Sequence, residues 1–426
     1  MEENTNQVKS NKSMLRRILK WVFRFVLLVV FLLFLINLKP VQSFIAKKLA
    51  KSLSERLDAE VTLDHLSISI IDGLVLEDFN VVSASDTVLA CKELDISLRK
   101  SLLNLFSGKL FINKIKLNGS SINIVKNSGD DFTNFEMLLQ KLGSDKQQKS
   151  NKSIVLELSA IEIEDVHATV KMEDKGIEYD FLLFEAYLGF DQIELESGRF
   201  LLDFIQLNKP IININRFCED FTEQEGVEED LPIDTISSDL FISITNAIIK
   251  EGKFSYSNQL IEKSKIGGFD SNHFVIGNIN FDGDSLVYDK LDSIRLSLNE
   301  FAFKEENGIN LKKFSISRFY LTEQKLQLED VSLITDDSEI FQSIQLKYPS
   351  KEHLFSFDNS VVFDGNFDNS RLDVKDLLYF LPKLKDKPFF VKNKNLSLDW
   401  SGHILGKPNN FIGNDISIKI GNRLSL

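Results

Sequence analysis

The 426-residue sequence is poor in the residue groupings that carry chemistry. Its only two cysteines, Cys91 and Cys218, stand far apart, too few for a disulfide framework or a thiolate metal site. Five histidines, His65, His167, His273, His353 and His403, are scattered without an H-E-x-x-H pair or a nucleophile elbow, so each reads as a strand or surface residue. The steps "SGKL", "EGKF" and "LGKP" lack the second glycine of a phosphate loop. The interval "CEDFTEQEGVEEDLPID", from Cys218 to Asp234, holds eight acidic and no basic residues, but its ligands do not alternate as a calcium loop requires. It reads as a solvated loop. The clusters at Asp282, Asp284 and Asp364 contain Asp-Gly steps that read as hairpin turns. These absences lead to expecting no catalytic residues, no metal, no cofactor and no enzyme activity.

Basic stripes are missing too. Residues 1–38 carry six basic and two acidic side chains, so of the net charge of −13 the rest of the chain carries −17. An acidic body without interleaved aromatics excludes nucleic acid as a partner.

What the chain has is apolar residues: 43% of the total, with 35 Phe against 7 Tyr. Abundant Phe fits an A/T-rich coding sequence, and equally an apolar lining that needs no hydrogen-bond partner. The densest run is "WVFRFVLLVVFLLFLINL", from Trp21 to Leu38, long enough for one membrane span with Arg24 near one end. No small-x-small cleavage site or lipobox cysteine follows, so it reads as an uncleaved anchor, with Trp21, Phe25, Leu28, Phe31 and Leu35 in the span. Basic residues on the two flanks tie in number. Arg24 and the Arg16–Lys20 cluster favour a cytoplasmic N-terminus.

Beyond the anchor, Val41, Phe44, Ile45, Leu49, Leu53 and Leu57 recur at helical spacing, which predicts an amphipathic helix over 41–57. From Val61 the period is two. Helical patterns are then brief: "SLLNLF" from Ser101, "NFEMLLQKLG" from Asn134, and "DVKDLLYFLPKLK" from Asp373, interrupted at Pro382.

The strands share a six-point pattern of apolar residues at i, i+2, i+5, i+7, i+12 and i+14. It fits Leu110, Ile112, Ile115, Leu117, Ile122 and Ile124. It fits Leu156, Leu158, Ile161, Ile163, Ala168 and Val170. Phe200, Leu202, Ile205, Leu207, Ile212 and Ile214 match again, as do Ile242, Ile244, Ala247, Ile249, Phe254 and Tyr256. About two or three chance matches are expected over the chain, so the regular starts at 110, 156, 200 and 242 carry more weight than the matches. The three-residue step from i+2 to i+5 calls for a β-bulge to keep one face apolar. A turn is expected between i+8 and i+11, at "NGSS" from Asn118 and "KEGK" from Lys250.

The predicted fold class is therefore all-β with short helices: an N-terminal transmembrane helix followed by an elongated, twisted β-sheet groove of repeated units. The segments are a cytoplasmic tail (1–20), an anchor (21–38), the amphipathic helix (41–57), a β-module (58–142) and repeated β-groove segments (154–426). Polar intervals at Gln140–Ser153, Cys218–Asp234 and around Pro349 read as loops or linkers. The groove candidates are Leu110, Ile112, Ile115, Leu117, Ile122, Ile124, Leu156, Leu158, Ile161, Ile163, Leu202, Ile205, Ile242, Ile244 and Phe254. An ordinary closed core is the other reading of the same pattern.

Several segments resemble the AsmA-like family, in particular its TamB-type members. They are "GLVLEDFNV" from Gly73, the apolar turn "SLLNLF", the "INKIKLNGSSINIV" hairpin and the "TNFEMLLQKL" helix. More diffusely, "LDVKDLLYFLPKL" from Leu372 and "LSLDWSGHILGKPNNF" from Leu396 look like that family's internal repeats. The resemblance implies a single-pass protein of the bacterial inner membrane, with the bulk of the chain periplasmic and phospholipid as cargo. It also implies a possible Omp85-type outer-membrane partner, met through a C-terminal region missing here. Two functions follow as expectations: carriage of phospholipid between membranes, or a tethered scaffold for outer-membrane protein assembly.

Overall fold

The computed structural model describes Arg24, Leu27 and residues 38–426, except 70–72, 84–85, 99–108, 144–152, 195–197, 219–239, 266, 291–292, 357, 422–423 and 426. The expected anchor, with Trp21, Phe25, Leu28, Phe31 and Leu35, lies outside the described residues, as does "SLLNLF". No helix among the described residues is long and apolar enough to cross a membrane.

Most of the described chain is strand, joined in one large mixed sheet. The first strands are β1 (Glu60–Thr62), β2 (His65–Ser69), β3 (Gly73–Ser83), β4 (Asp86–Leu98) and β5 (Lys109–Lys126). Next come β6 (Ser153–Met172), β7 (Ile177–Glu194), β8 (Arg199–Asn208), β9 (Ile211–Arg216) and β10 (Phe241–Asn258). The series continues with β11 (His273–Asp289), β12 (Ser293–Glu305), β13 (Asn310–Thr322), β14 (Lys325–Ile334) and β15 (Glu339–Lys347). It ends with β16 (Val362–Asp373), β17 (Ser397–Lys407), β18 (Asn410–Ile420) and β19 (Leu424–Ser425).

Successive strands pair in chain order. β1 and β2 lie end to end along β3, and β8 and β9 lie end to end between β7 and β10. Pro210 makes the second break, because proline has no N–H to donate to the ladder. Two neighbouring pairs are parallel, β5 with β6 and β8–β9 with β10; the other strand pairings are antiparallel. At ~4.8 Å between neighbours the sheet extends roughly 75 Å across its strands.

Helix α1 (Lys39–Leu57) carries Pro40 in its first turn, where the missing N–H costs nothing. Small Ala46 and Ala50 let it sit close against β1–β4, and Leu57, Val61, Leu63, Leu66, Leu76, Val81 and Val88 complete that core. Helix α2 (Asn134–Gly143) starts in a capping box, Glu136 N–H donating to Thr133 Oγ1 (3.1 Å) and Thr133 N–H to Glu136 Oε2 (2.7 Å). Asn134 stitches it to β5, accepting from Val125 N–H (3.0 Å) and donating to the Asn123 carbonyl (3.1 Å). Helix α3 (Lys351–Ser356) forms in the interval read as a loop around Pro349, and Leu354 packs on the Leu346, Tyr348 and Val361 cluster. Helix α4 (Val374–Phe380) is capped by Asp373 and stops before Pro382; a 3-10 turn (Pro382–Leu384) and α5 (Pro388–Lys392) follow.

Three local expectations are corrected. The Asp-Gly steps at Asp282 and Asp364 are not hairpin turns: they lie inside β11 and β16, with paired neighbours on both sides. No turn falls at Asn118 or Lys250 either. β5, β6 and β10 run straight through, each bent at one left-handed residue, Gly119 (φ 58°), Asp165 (φ 50°) and Glu251 (φ 52°), while left-handed Lys209 (φ 51°) stands in the break between β8 and β9. All four occupy i+9 of the repeated pattern. Gly, Asn and Asp adopt this conformation most readily, the same preference that makes them turn residues, so composition does not separate a bend from a reversal. Finally, Leu110 and Ile112 align with Ile154 and Leu156, two residues away from the repeat's own register, because the ladder slips between Ile112 and Lys114.

Candidate functional site

A single left-handed residue inserted into a strand shifts the alternation by one, so the same face stays apolar on both sides of the bend. The ladder makes this explicit. Residues directly opposite one another share a face, and the repeat positions line up in rows across the strands.

One row runs Ile115, Ile161, Leu188, Ile205, Ala247; the next runs Leu117, Ile163, Ala186, Leu207, Ile249. Past the bend come Ile122, Ala168, Phe181, Ile212, Phe254, and then Ile124, Val170, Tyr179, Ile214, Tyr256. Ile242 and Ile244 lie beside Phe200 and Leu202 at the other end. Further on, Phe254 and Tyr256 face Ile276 and Phe274 of β11. The first bulge also has a counterpart in the ladder, as register shifts beside Ile112 of β5 and beside Leu202 of β8.

Of the candidates with described side chains, Leu158 and Leu202 are buried. Ile112, Ile115, Leu117, Ile122, Ile124, Ile161, Ile163, Ile205, Ile242, Ile244 and Phe254 are half-buried. Leu110 and Leu156 are placed by backbone register alone. Half-burial follows from where the helices are: α1 covers β1–β4, α2 meets the end of β5, and α4 packs against β16.

Pattern reading missed two sets of residues on this face. At i+10, beside each bend, Ser120, Val166, Pro210 and Gly252 are all buried, yet they have no chemistry in common. Burial beside the bend is what they share, and at Gly252 the approach is close as well: a Cβ there would lie 3.2 Å from Ile249 Cγ2 and 3.3 Å from Ile279 Cβ. Ser120 donates to Cys91 Sγ (2.9 Å), and both cysteines are free thiols. The second missed set is β7, which runs antiparallel to its neighbours. Read backwards, the template does find Tyr179, Phe181, Ala186 and Leu188.

The opposite face carries many polar, hydrogen-bonded side chains. Thr169 donates to Asn123 (3.0 Å), Asn213 to Asp180 (3.0 Å) and Ser255 to Asn213 (2.6 Å), all within one outward row. His167 joins it through Asp180 (2.5 Å). Lys114–Glu162 (2.7 Å) and Lys116–Glu164 (2.9 Å) pair across β5 and β6, and the Glu164 bond raises the pKa of Lys116. Farther along, bonds from Asn246 and Asn299 hold the Asp284 carboxyl below the usual carboxylate range. The two faces thus differ in composition: the repeat rows are apolar throughout, while the outward rows mix polar, hydrogen-bonded side chains with Tyr187, Leu182, Ile211 and Ile248.

Among the described residues no group of three His, Cys, Asp or Glu side chains is placed to hold a metal ion. His403 instead pairs with Asp364 (2.7 Å), and His273 lies 3.5 Å from Asp270. No protein-family model matches the chain, and no curated protein matches it.

Proposed function

We propose that this chain is a membrane-anchored periplasmic conduit whose apolar sheet face is the floor of a groove for phospholipid acyl chains. The observation that carries this reading is the set of aligned, half-buried apolar rows from β5 to β11. Exposing an acyl chain of about sixteen carbons to water costs on the order of 12 kcal/mol, at ~0.8 kcal/mol per methylene. A pocket would lower that cost at one place. Rows repeating at every strand from β5 to β11 lower it along roughly 25 Å of sheet, so a chain can advance that far without leaving apolar surface.

In-cell photocrosslinking tests the reading. A photoreactive amino acid at Phe254 or Ile205, on the apolar face, is expected to give phospholipid adducts; at Lys253 or Asp203, on exposed neighbouring positions, it is not. Equal adducts at all four positions, or none at Phe254 and Ile205, refute the conduit.

One observation favours the scaffold alternative, in which strand edges pair with client strands or an Omp85-type partner. Among the described residues, β18 pairs with β19 only at Lys419 and Ile420, leaving Asn410–Ser417 with a neighbour on one side. Phe411, Ile412 and Ile416 are exposed there. Edge strands of this kind add partners by backbone hydrogen bonding. Proline substitutions along Asn410–Ser417 should abolish assembly activity on this alternative and leave the Phe254 adducts intact on the conduit reading.

A further inference from the structure

The body of the chain is acidic, but one structural unit reverses the sign. Between Phe380 and Asn393 and on to Lys394, the segment around the 3-10 turn and α5 carries Lys383, Lys385, Lys387, Lys392 and Lys394 against a single Asp386. It also exposes large apolar side chains: Phe380 (52%), Leu381 (49%), Phe389 (56%) and Val391 (50%).

A second segment, the loop after β10, has the same character. Leu260 and Ile261 are exposed at 45% and 46%, next to exposed Lys263 and Lys265, with one exposed carboxylate, Glu262, among them. The two segments are more than 100 residues apart in sequence, and the fold ties them together. Phe269 N–H donates to the Tyr379 carbonyl (2.8 Å), and Lys385 Nζ donates to the Gly267 carbonyl. The Phe269 ring sits 6.2 Å from Tyr379 and 6.1 Å from Phe380.

The unit is also anchored at its other end, so it is held in place. Thr335 donates to Asp376 (2.5 Å), Asp373 N–H donates to Ser338 (3.0 Å), and Lys375 pairs with Asp337 (2.6 Å). These bonds occupy the hydroxyls and the carboxylate that border a cavity of about 340 Å³ beneath α4. Its wall is otherwise hydrocarbon: Leu311, Leu333, Ile340, Leu372, Leu377 and Phe380 among others. Phe380 and Leu381 belong both to the cavity wall and to the exposed apolar set.

We infer that this unit, residues 260–265 together with 380–394, is a docking surface for an anionic phospholipid bilayer. Side chains such as Phe389 and Val391 enter the interfacial region, while exposed Lys263, Lys265, Lys383, Lys387, Lys392 and Lys394 meet the lipid phosphates. Basic and aromatic residues together are the composition that seats a protein segment on a bilayer. Each lysine near an anionic surface contributes on the order of a fivefold gain in binding. An acidic body next to a basic, apolar-tipped unit orients the molecule, since the rest of its surface is repelled by the same lipids. Phe380 and Leu381 border both the cavity and the docking surface, which places hydrocarbon beside a seated lipid. The inference stands without lipid moving along the sheet, because it rests on the charge and exposure of this unit alone.

The test uses the full chain held in phosphatidylcholine nanodiscs, so that the N-terminal apolar segment is already occupied, and measures capture of free fluorescent vesicles. Wild-type protein is expected to capture vesicles containing phosphatidylglycerol and to pass over vesicles of phosphatidylcholine alone. The exposed quadruple variant Lys383→Gln, Lys387→Gln, Lys392→Gln, Lys394→Gln should lose at least about tenfold in capture. Phe389→Ser with Val391→Ser should lose capture while keeping its charge, and neither set of exposed positions carries a core contact that folding needs. Capture indifferent to phosphatidylglycerol, or equal in wild type and both variants, overturns the inference. Absence of capture overturns it too, and leaves the surface to an acidic protein. Each of those outcomes leaves the adducts at Phe254 untouched, so failure of this surface is distinct from failure of the conduit.

Discussion

Glu251 provides the sharpest test of how the sheet keeps one face apolar. Its backbone is left-handed (φ 52°), and its side chain is exposed and pairs with Lys209 at 3.5 Å. Exposed pairs of this kind contribute little, and the Glu251 N–H bond to Asn280 Oδ1 (3.2 Å) belongs to the backbone, so substitutions here report mainly on the backbone. A left-handed residue with a Cβ costs roughly 1–2 kcal/mol, which glycine does not incur. Glu251→Gly is therefore expected to be neutral or stabilising by up to ~1 kcal/mol, and Glu251→Val, branched at Cβ, to destabilise by about 1–2 kcal/mol. Hydrogen exchange reads this locally. Amides of β10 and β11 flanking the bend, such as Phe254 and Ile276, should exchange about 5–30-fold faster in the valine variant, while amides of β3 and β4 stay unchanged. Should valine be tolerated as well as glycine, β10 does not bend at Glu251, and the rows on either side of it do not share a face.

Further expectations follow from individual contacts. Ser370 is fully buried and both donates to the Phe341 carbonyl (3.0 Å) and accepts from its N–H (2.8 Å), so Ser370→Ala strands two backbone groups. Urea denaturation should register a loss of about 1–3 kcal/mol. Leu298 is 6% exposed at the centre of a cluster with Ile316 and Val331, and Leu298→Ala should cost about 2–5 kcal/mol by the same measurement. Burial by itself would push the Asp270 carboxyl up, but bonds from the N–H groups of Ser264 (2.7 Å) and Asn272 (3.0 Å), with His273 nearby, hold it below the usual range. A folded-state pKa below the unfolded one means stability that is present above the ordinary aspartate range and is lost as pH falls through the lowered value. Proteolytic nicking of the 259–272 loop should accordingly rise in strong acid, and Asp270→Asn should nick at every pH. Maleimide should modify half-buried Cys218 in the native protein and reach Cys91, 2% exposed behind Ser120, only after denaturation.

The period-two alternation, the brief helices and the 46, 44 and 42-residue spacing were legible in the sequence because each is set by local geometry. A strand alternates its faces, and a helix repeats in 3.6 residues, whatever lies beside it. Asn134 could be recognised as a helix start from Thr133 and Glu136 alone, three residues apart. Only the tertiary structure decided what the spacing meant. The repeats lie next to one another as parallel strands, or on either side of β7, and the ladder lets Gly119, Asp165 and Glu251 bend a strand where a free chain would reverse. Whether such a residue bends or reverses depends on whether both neighbouring strands continue past it, a non-local fact. The same holds for the basic, apolar-tipped unit: its lysines are plain in the sequence, but Gly267 and Lys385 meet only because the sheet carries β10 and α4 to the same place. Local periodicity determined the elements and their faces; pairing between distant strands decided which faces join, since backbone hydrogen bonds must be satisfied wherever the chain is brought together.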